Sequence, residues 1–461
     1  MTAKFISNRS NELFSGSLRE QRSRGGTGGK SWGGEFKWSE IISKRTNDSE
    51  QKSEKDTREI SQDETNDEIE VSIIIPSQNK YPLNLFTLYS LENQTFNTKK
   101  MEVIFINDAS TDQTEEAIKD YQPPYQFKYI HSTKRLGRAR VRNLGIQSAR
   151  GSIIIFLDAE MITEPEFVAN HLDYHQTSPN LIVTGAMSSK ALYSCIFPEF
   201  SDQIMNKLKD RAKKNQKIYE RLQDCIFPLE SSYPLIEKDD IVQGTFKEIA
   251  YSAYPWFQSI TSQFNEELEG FMFPWMAFLT GNISMRKELI TQAGMFDEEF
   301  FHYGYEDWEL GYRLYKMGAK YIVSNKITTY HQEHPVGEGK WKEAVGNFGL
   351  FTIKHHDVDV LILALELARM TDLLMMNNVL KEYKLLLETN PEQFQHFSEK
   401  FITILETIIL LLEVDIRHFN ILGAAGFSSK DRKRLKKDRK QIEALKSYPN
   451  LTNFLSMVIN S

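Results

Sequence analysis

From residue 70 to residue 160 the chain alternates short β-branched runs with longer stretches of helical spacing. The apolar runs are 71–75 (VSIII), 103–106 (VIFI), 127–131 (FKYIH) and 153–157 (IIIFL). Helix-like stretches follow the first run to Asn93, then cover 112–121 and the basic segment 137–149. This order predicts a parallel sheet covered on both faces, an α/β domain. Polar residues gather just after the strand ends: Pro76-Ser77, Asn107-Asp108 and Asp158. Open α/β sheets bind ligands at that edge.

Outside this region the pattern changes. Residues 1–69 are polar and rich in Gly, Ser and charge, which predicts a flexible arm with a short helix near Trp38. Trp32 and Trp38 are the arm's candidate docking residues. Residues 356–461 repeat apolar positions at helical spacing, as in 360–374 and 380–387, so this region is expected to be helical. The α/β domain is set at 70–355, with a charged and then aromatic insertion at about 188–273. A helical excursion that shapes the acceptor site is expected there.

Composition narrows the function classes. The chain has 461 residues, with 56 Lys plus Arg against 63 Asp plus Glu, a formal charge of −7. No global positive field attracts nucleic acid. Two cysteines, Cys195 and Cys225, exclude a disulfide scaffold and point to a cytoplasmic location, with one bridge between them left open. The apolar stretch 401–414 (FITILETIILLLEV) is too short for a bilayer and reads as a buried or amphipathic helix. The basic run 430–440 (KDRKRLKKDRK) reads as a solvated helix face, with peripheral contact to the inner face of a membrane as the other reading.

Two acidic segments carry the candidate chemistry. In SIIIFLDAEM, Asp158 and Glu160 stand two residues apart, so an extended chain points both the same way. Two such carboxylates need a cation between them, and a divalent ion there can bind a diphosphate. In HYGYEDWELGYRL, Glu306 and Asp307 begin a helix after a Gly turn. Capping is the plain reading of both pairs. Tyr303, Tyr305 and Trp308 are candidates for a wall that stacks on a sugar ring, or for core packing.

Taken together, VSIIIPSQN, IFINDASTDQT, GRARVRNLGIQSARGSIIIFLDAE, LTGNISMRKELITQAGMFDEEF and HYGYEDWELGYRL resemble the family-two glycosyltransferases of GT-A fold. The last two segments are similar to chondroitin-polymerase and polypeptide GalNAc-transferase domains. The resemblance implies sugar transfer from a nucleotide-diphosphate donor, expected to be a UDP-sugar, with inversion. It implies Asp307 as base with Glu306 beside it, and Asp158 and Glu160 as ligands of Mn²⁺ or Mg²⁺. Glu160 departs from the family's Asp at that position. His331 in HQEHP matches a further metal ligand, with His334 as second choice.

The same resemblance puts Asp108 on the donor's base and at least one of Arg138 and Arg142, with Arg135 upstream, near the base or diphosphate. It puts Pro76 and Ser77 on the nucleotide cleft, and Trp275, Gly281 and Asn282 around the sugar and acceptor. The expected acceptor is a glycan, a lipid-linked precursor or a peptide. The alternative is a non-catalytic glycosyltransferase-like scaffold in a synthesis complex. A nucleotidyltransferase leaves GYEDWELGYRL unexplained.

Overall fold

The computed structural model describes residues 57–61, 68–252, 257–337, 339–416 and 420–460. The strands are β1 (Thr57–Ser61), β2 (Val71–Ser77), β3 (Met101–Asp108), β4 (Gln126–Ser132), β5 (Ile153–Leu157), β6 (Met161–Thr163) and β7 (Leu181–Thr184). They continue with β8 (Lys190–Leu192), β9 (Cys195–Ile196), β10 (Tyr233–Pro234), β11 (Tyr251–Ser252), β12 (Asn282–Arg286), β13 (Lys320–Val323) and β14 (Thr329–Gln332). Eight of them form one sheet in the order β1-β4-β3-β2-β5-β12-β7-β13. Strands β4, β3, β2 and β5 run parallel, and β12 is antiparallel to both β5 and β7.

The strands are almost wholly apolar because both faces are covered. Period-2 alternation sorts their side chains. Ile74, Ile104, Ile106, Ile154 and Phe156 face one core, while Ile73, Ile75, Val103, Phe105 and Ile155 face the other. The helix α1 (Arg138–Ser148) lies on the first face. Its approach is close: a Cβ on Gly145 would collide with Ile74. That contact fixes the height of the arginines on the helix above the sheet edge.

The helical C-terminal region is present. Its long helices, α2 (Leu373–Thr389), α3 (Gln395–Glu413), α4 (Ser429–Ala444) and α5 (Pro449–Asn460), bury Leu380, Phe401, Leu435 and Leu455 in the same core as Ile74 and Phe156. Sheet and helices are therefore one packed body. The expected stretch 360–374 is broken into short turns, Val358–Leu361 and Ala364–Leu367, before α2 begins. Among the described residues no helix is long and apolar enough to cross a membrane. The run 430–440 lies on α4, which buries Leu435, Asp438 and Ile442 and leaves most of its basic side chains outward.

Several boundaries move. Residues 57–61 of the expected arm form β1, paired antiparallel with β4. Trp32, Trp38 and the expected short helix lie outside the described residues. The stretch 321–330 divides into β13 and β14, which join different sheets. The insertion contributes helices Asp202–Ala212 and Gln216–Asp224, and also β8 and β11. These two strands join β14 and β6 in a second sheet, β11-β8-β14-β6. Cys195 and Cys225 are both buried and free, so no bridge joins them.

Candidate active site

The chemistry collects beyond the carboxyl ends of β2, β3 and β5. Asp158 follows β5, and the N–H of Met161 donates to the Asp158 carbonyl at 3.0 Å. This is a tight turn, not extended chain. It therefore separates the two carboxylates that the i, i+2 spacing placed together. Asp158 faces the main sheet's edge, 3.7 Å from Arg142 Nη2. Glu160 faces the second sheet, 2.9 Å from Lys80 Nζ.

Around Asp158 lies an acidic group built on one guanidinium. Glu306 and Asp307 open the helix α6 (Glu306–Lys316), with Tyr305 before it at φ 68°. Arg142 Nη1 sits 3.2 Å from Glu306 Oε1 and 3.7 Å from Asp307 Oδ1. Arg142 is 2% exposed, with Phe296 under it. Its charge is divided among three buried or half-buried carboxylates, so it organises the acids. Arg138 is the outward arginine, 4.8 Å over the Tyr303 ring and 3.9 Å from Glu306.

Asp307 is held in a fixed plane. The Thr280 N–H donates to Oδ2 at 3.2 Å, and the Thr280 hydroxyl lies 3.1 Å from the same oxygen. Burial pushes the Asp307 carboxyl up to about 6. Arg142 opposes that rise and the Glu306 charge adds to it. Gly281 serves this same corner: a Cβ there would stand 3.1 Å from Asp158 Oδ2. The close approach that Gly281 permits is that of the Asp158 carboxylate.

A second cluster surrounds Glu160. One ligand atom each from Glu160, His331 and His334 lies within 4.8 Å of the others. Asp158 stands outside this group, and His334 stands inside it. Burial alone would raise the Glu160 carboxyl, but Lys80, His334 and His331 together hold it well below the usual range. One carboxylate and two imidazoles suit a transition metal such as Mn²⁺ better than Mg²⁺, which prefers oxygen. His331 Nδ1 is 3.2 Å from Glu333 Oε1, and that contact turns Nε2 inward.

Lys340, at the start of the helix Lys340–Lys354, completes a cationic rim with Lys80 and Arg138. Burial, then Arg138 and Lys80, push its ammonium down to about 8. Crowded cations of this kind make a site for an anion. Lys80, Thr280 and Lys340 were missed by the sequence reading. Lys80 had a signal, since it sits in the loop after the first strand; Thr280 and Lys340 had none.

Other expected residues have local tasks. The Asp108 carboxylate accepts from the N–H of Leu136 at 2.6 Å and of Gly137 at 3.2 Å, which ties β3 to the start of α1. The Asx turn in NDASTD belongs to Asn107, whose Oδ1 accepts from Ser110 N–H. Burial raises the Asp108 carboxyl against those two bonds. Pro76 and Ser77 end β2 beside it, with the buried Ser77 hydroxyl accepting from Asn84.

Three residues expected around the sugar are core. Trp275 is 0% exposed, packed edge-on to Trp308, Tyr312 and Phe351. Asn282 is fully buried and bonded to His171, the Ile327 carbonyl and Thr329. Trp308 donates to the Met276 carbonyl from inside the core. Tyr305 is buried too, so only Tyr303 of the aromatic group borders the cationic rim.

Residues 72–226 match the model of Glycosyl transferase family 2. An uncharacterized glycosyltransferase of Bacillus subtilis, YfnE, is 29% identical over 58% of this chain and 66% of its own length. Chondroitin synthase of Escherichia coli is 26% identical over 60% of this chain and 36% of its own. The chain thus spans less than two thirds of either relative. A solved structure of S. aureus TarS with UDP-GlcNAc aligns over 84% of this chain and 91% of that one, at 15% identity and a TM-score of 0.42. A likeness that slight carries no argument. The family match covers less than half of this chain, from β2 through β9, so the likeness to glycosyl transferase family 2 is shown for that part.

Proposed function

We propose that this protein transfers a sugar from a nucleotide-diphosphate donor, a UDP-sugar being the expected class, to an acceptor hydroxyl with inversion. The observation that carries the reading is the meeting of Asp158, Glu306 and Asp307 on one buried guanidinium, beside a cationic rim. A base and an anion site side by side are what displacement at an anomeric carbon requires.

Asp307 is the base. Its carboxyl, raised to about 6 by burial, is ionised at neutral pH yet basic enough to take a hydroxyl proton. Thr280 fixes its orientation. Glu306 keeps its proton affinity up by like charge, and Arg142 limits that rise. On the donor side, Arg138, Lys340 and Lys80 face the charge that develops on the departing diphosphate. Asp108, Pro76 and Ser77, at the ends of β3 and β2, border the nucleoside. Asp108 retains accepting capacity beside its two backbone donors for a base N–H.

Glu160, His331 and His334 form the donor set for a divalent ion, Mn²⁺ by its chemistry. When bound, the ion would supply Lewis-acid stabilisation of the diphosphate. The acceptor is a glycan, a lipid-linked precursor or a peptide. The test is nucleotide release and sugar transfer from a panel of UDP- and GDP-sugars with Mn²⁺. Activity with at least one donor, lost in Asp307→Asn, is the expected result. Full activity in Asp307→Asn removes the base assignment. Failure of the full chain to bind any nucleotide-sugar by calorimetry removes the reading itself.

A further inference from the structure

Two acceptor atoms face each other in the second cluster. His334 Nδ1 lies 2.7 Å from the Pro335 carbonyl, which only accepts, so Nδ1 carries a proton; Nε2 lies 2.8 Å from the Lys80 ammonium, which only donates, so Nε2 offers its lone pair. Nε2 in turn lies 3.3 Å from Oε1 of Glu160. Two lone pairs that close repel each other unless a cation stands with them.

In this structure the cation is Lys80. Its Nζ is 2.9 Å from Glu160 Oε1 and 2.8 Å from His334 Nε2. An ammonium has three donors and no acceptor. The contact with His334 therefore uses the one lone pair of Nε2, which is the same lone pair that a metal ligated by His334 needs. At His334 the ammonium and a metal exclude each other.

We propose that Lys80 is an exchangeable internal cation. It neutralises Glu160 and His334 until a divalent ion takes both atoms, and is then released toward the donor's diphosphate. This rests on the reading above, that Glu160, His331 and His334 hold a divalent ion. The Lys80 side chain is 21% exposed, so it is not locked in the core, and the rim formed by Arg138 and Lys340 is where a phosphate would receive it. Two consequences follow. Lys80 weakens metal binding in the absence of donor. A nucleoside diphosphate strengthens metal binding by giving the displaced ammonium a new partner.

The test is a titration of the full chain with Mn²⁺, read from the electron paramagnetic resonance of free Mn²⁺, with and without UDP. Lys80→Met is expected to bind Mn²⁺ alone about tenfold or more tightly than the wild type, the scale of changes at groups that contact metal ligands. UDP is expected to strengthen Mn²⁺ binding in the wild type more than in Lys80→Met. Lys80→Arg keeps the charge and is expected to stay weak. Lys340→Met removes a neighbouring cation of the rim, and is expected to change the affinity far less.

Equal Mn²⁺ affinity in wild type and Lys80→Met overturns the exchange. So does an equal gain in Lys340→Met, which would make the effect one of general charge. Circular dichroism of each variant keeps these comparisons among folded proteins. If the wild type with UDP and Lys80→Met both fail to bind Mn²⁺, or Glu160→Gln binds it unchanged, the metal site itself is wrong. That outcome differs from equal, measurable affinities, which remove the exchange alone.

Discussion

One helix carries two buried acidic centres that differ in kind. On α6, Glu309 lies less than one turn beyond Glu306 and Asp307 and is as buried as Glu306, while Asp307 is half-buried. Arg313 holds Glu309 with two bonds of 2.8 Å, from Nε and Nη2, and His355 adds a third at 2.8 Å. Burial pushes the Glu309 carboxyl up, but His355 and Arg313 outweigh it and the net shift is down. Asp307 instead shares Arg142 with Glu306 and Asp158, and its net shift is up. The lesson concerns the ratio of cations to carboxylates. Where donors saturate an acid, the acid is structural. Where several acids share one guanidinium, proton affinity is left over for chemistry.

The largest expected break in this comparison is in activity. Asp307→Asn should lower kcat by about 10³-fold, in the range for losing a general base, with the melting temperature held or raised. Steady-state rates and a thermal melt on the same sample check both parts. Glu309→Gln should do the reverse, costing about 3 kcal/mol of stability by leaving Arg313 and His355 without their anion. Denaturant unfolding measures that cost, and an unchanged midpoint would make the two centres alike.

A smaller effect sharpens the role of Arg142. Because the Arg142 charge lowers the Asp307 pKa, Arg142→Gln should move the acidic limb of the kcat/KM profile upward from about 6. A limb that stays put or moves down detaches Arg142 from the base.

The smallest effect is in stability against pH. The folded pKa of Asp307, about 6, stands above its unfolded value, so its stabilising contribution is full below about 4 and lost as pH rises through about 6. Glu309 is depressed, so its contribution is full above about 4.3 and lost as pH falls through its folded value. Asp307→Asn should therefore exceed the wild type by on the order of 1 kcal/mol at pH 7.5, and lose about half of that margin at pH 5. Paired denaturant curves at the two pH values report it.

Much of this fold was legible in the chain. The runs VSIII, VIFI, FKYIH and IIIFL are strands of the main sheet because β-branched residues between helices suit a sheet covered on both sides. Arg138 and Arg142 do share a face, one turn apart, but Gly145 and the burial of Arg142 decide which one faces out. That decision comes from tertiary packing, which no local spacing encodes. The same holds for Asp158 and Glu160: a two-residue spacing assumes extended chain, and the turn at 158–161 cancels it. Trp275 and Asn282 sit in positions that resemble a binding site, yet one fills the aromatic core and the other a buried polar network.

That turn also divides the machinery between two frames. Asp158, Arg142 and Asp307 belong to the main sheet, while Glu160 and His331 ride with β6 and β14 in the second. Strand β14 is bonded on its other side to β8, with His331 opposite Ala191, and β8 to β11 of the insertion. Sequence change in the insertion thus reaches the Glu160–His331 cluster through backbone hydrogen bonds, without touching Asp307. Under the proposed roles, donor handling and proton removal can drift independently, and a chimera that exchanges only 188–252 would retune one while inheriting the other.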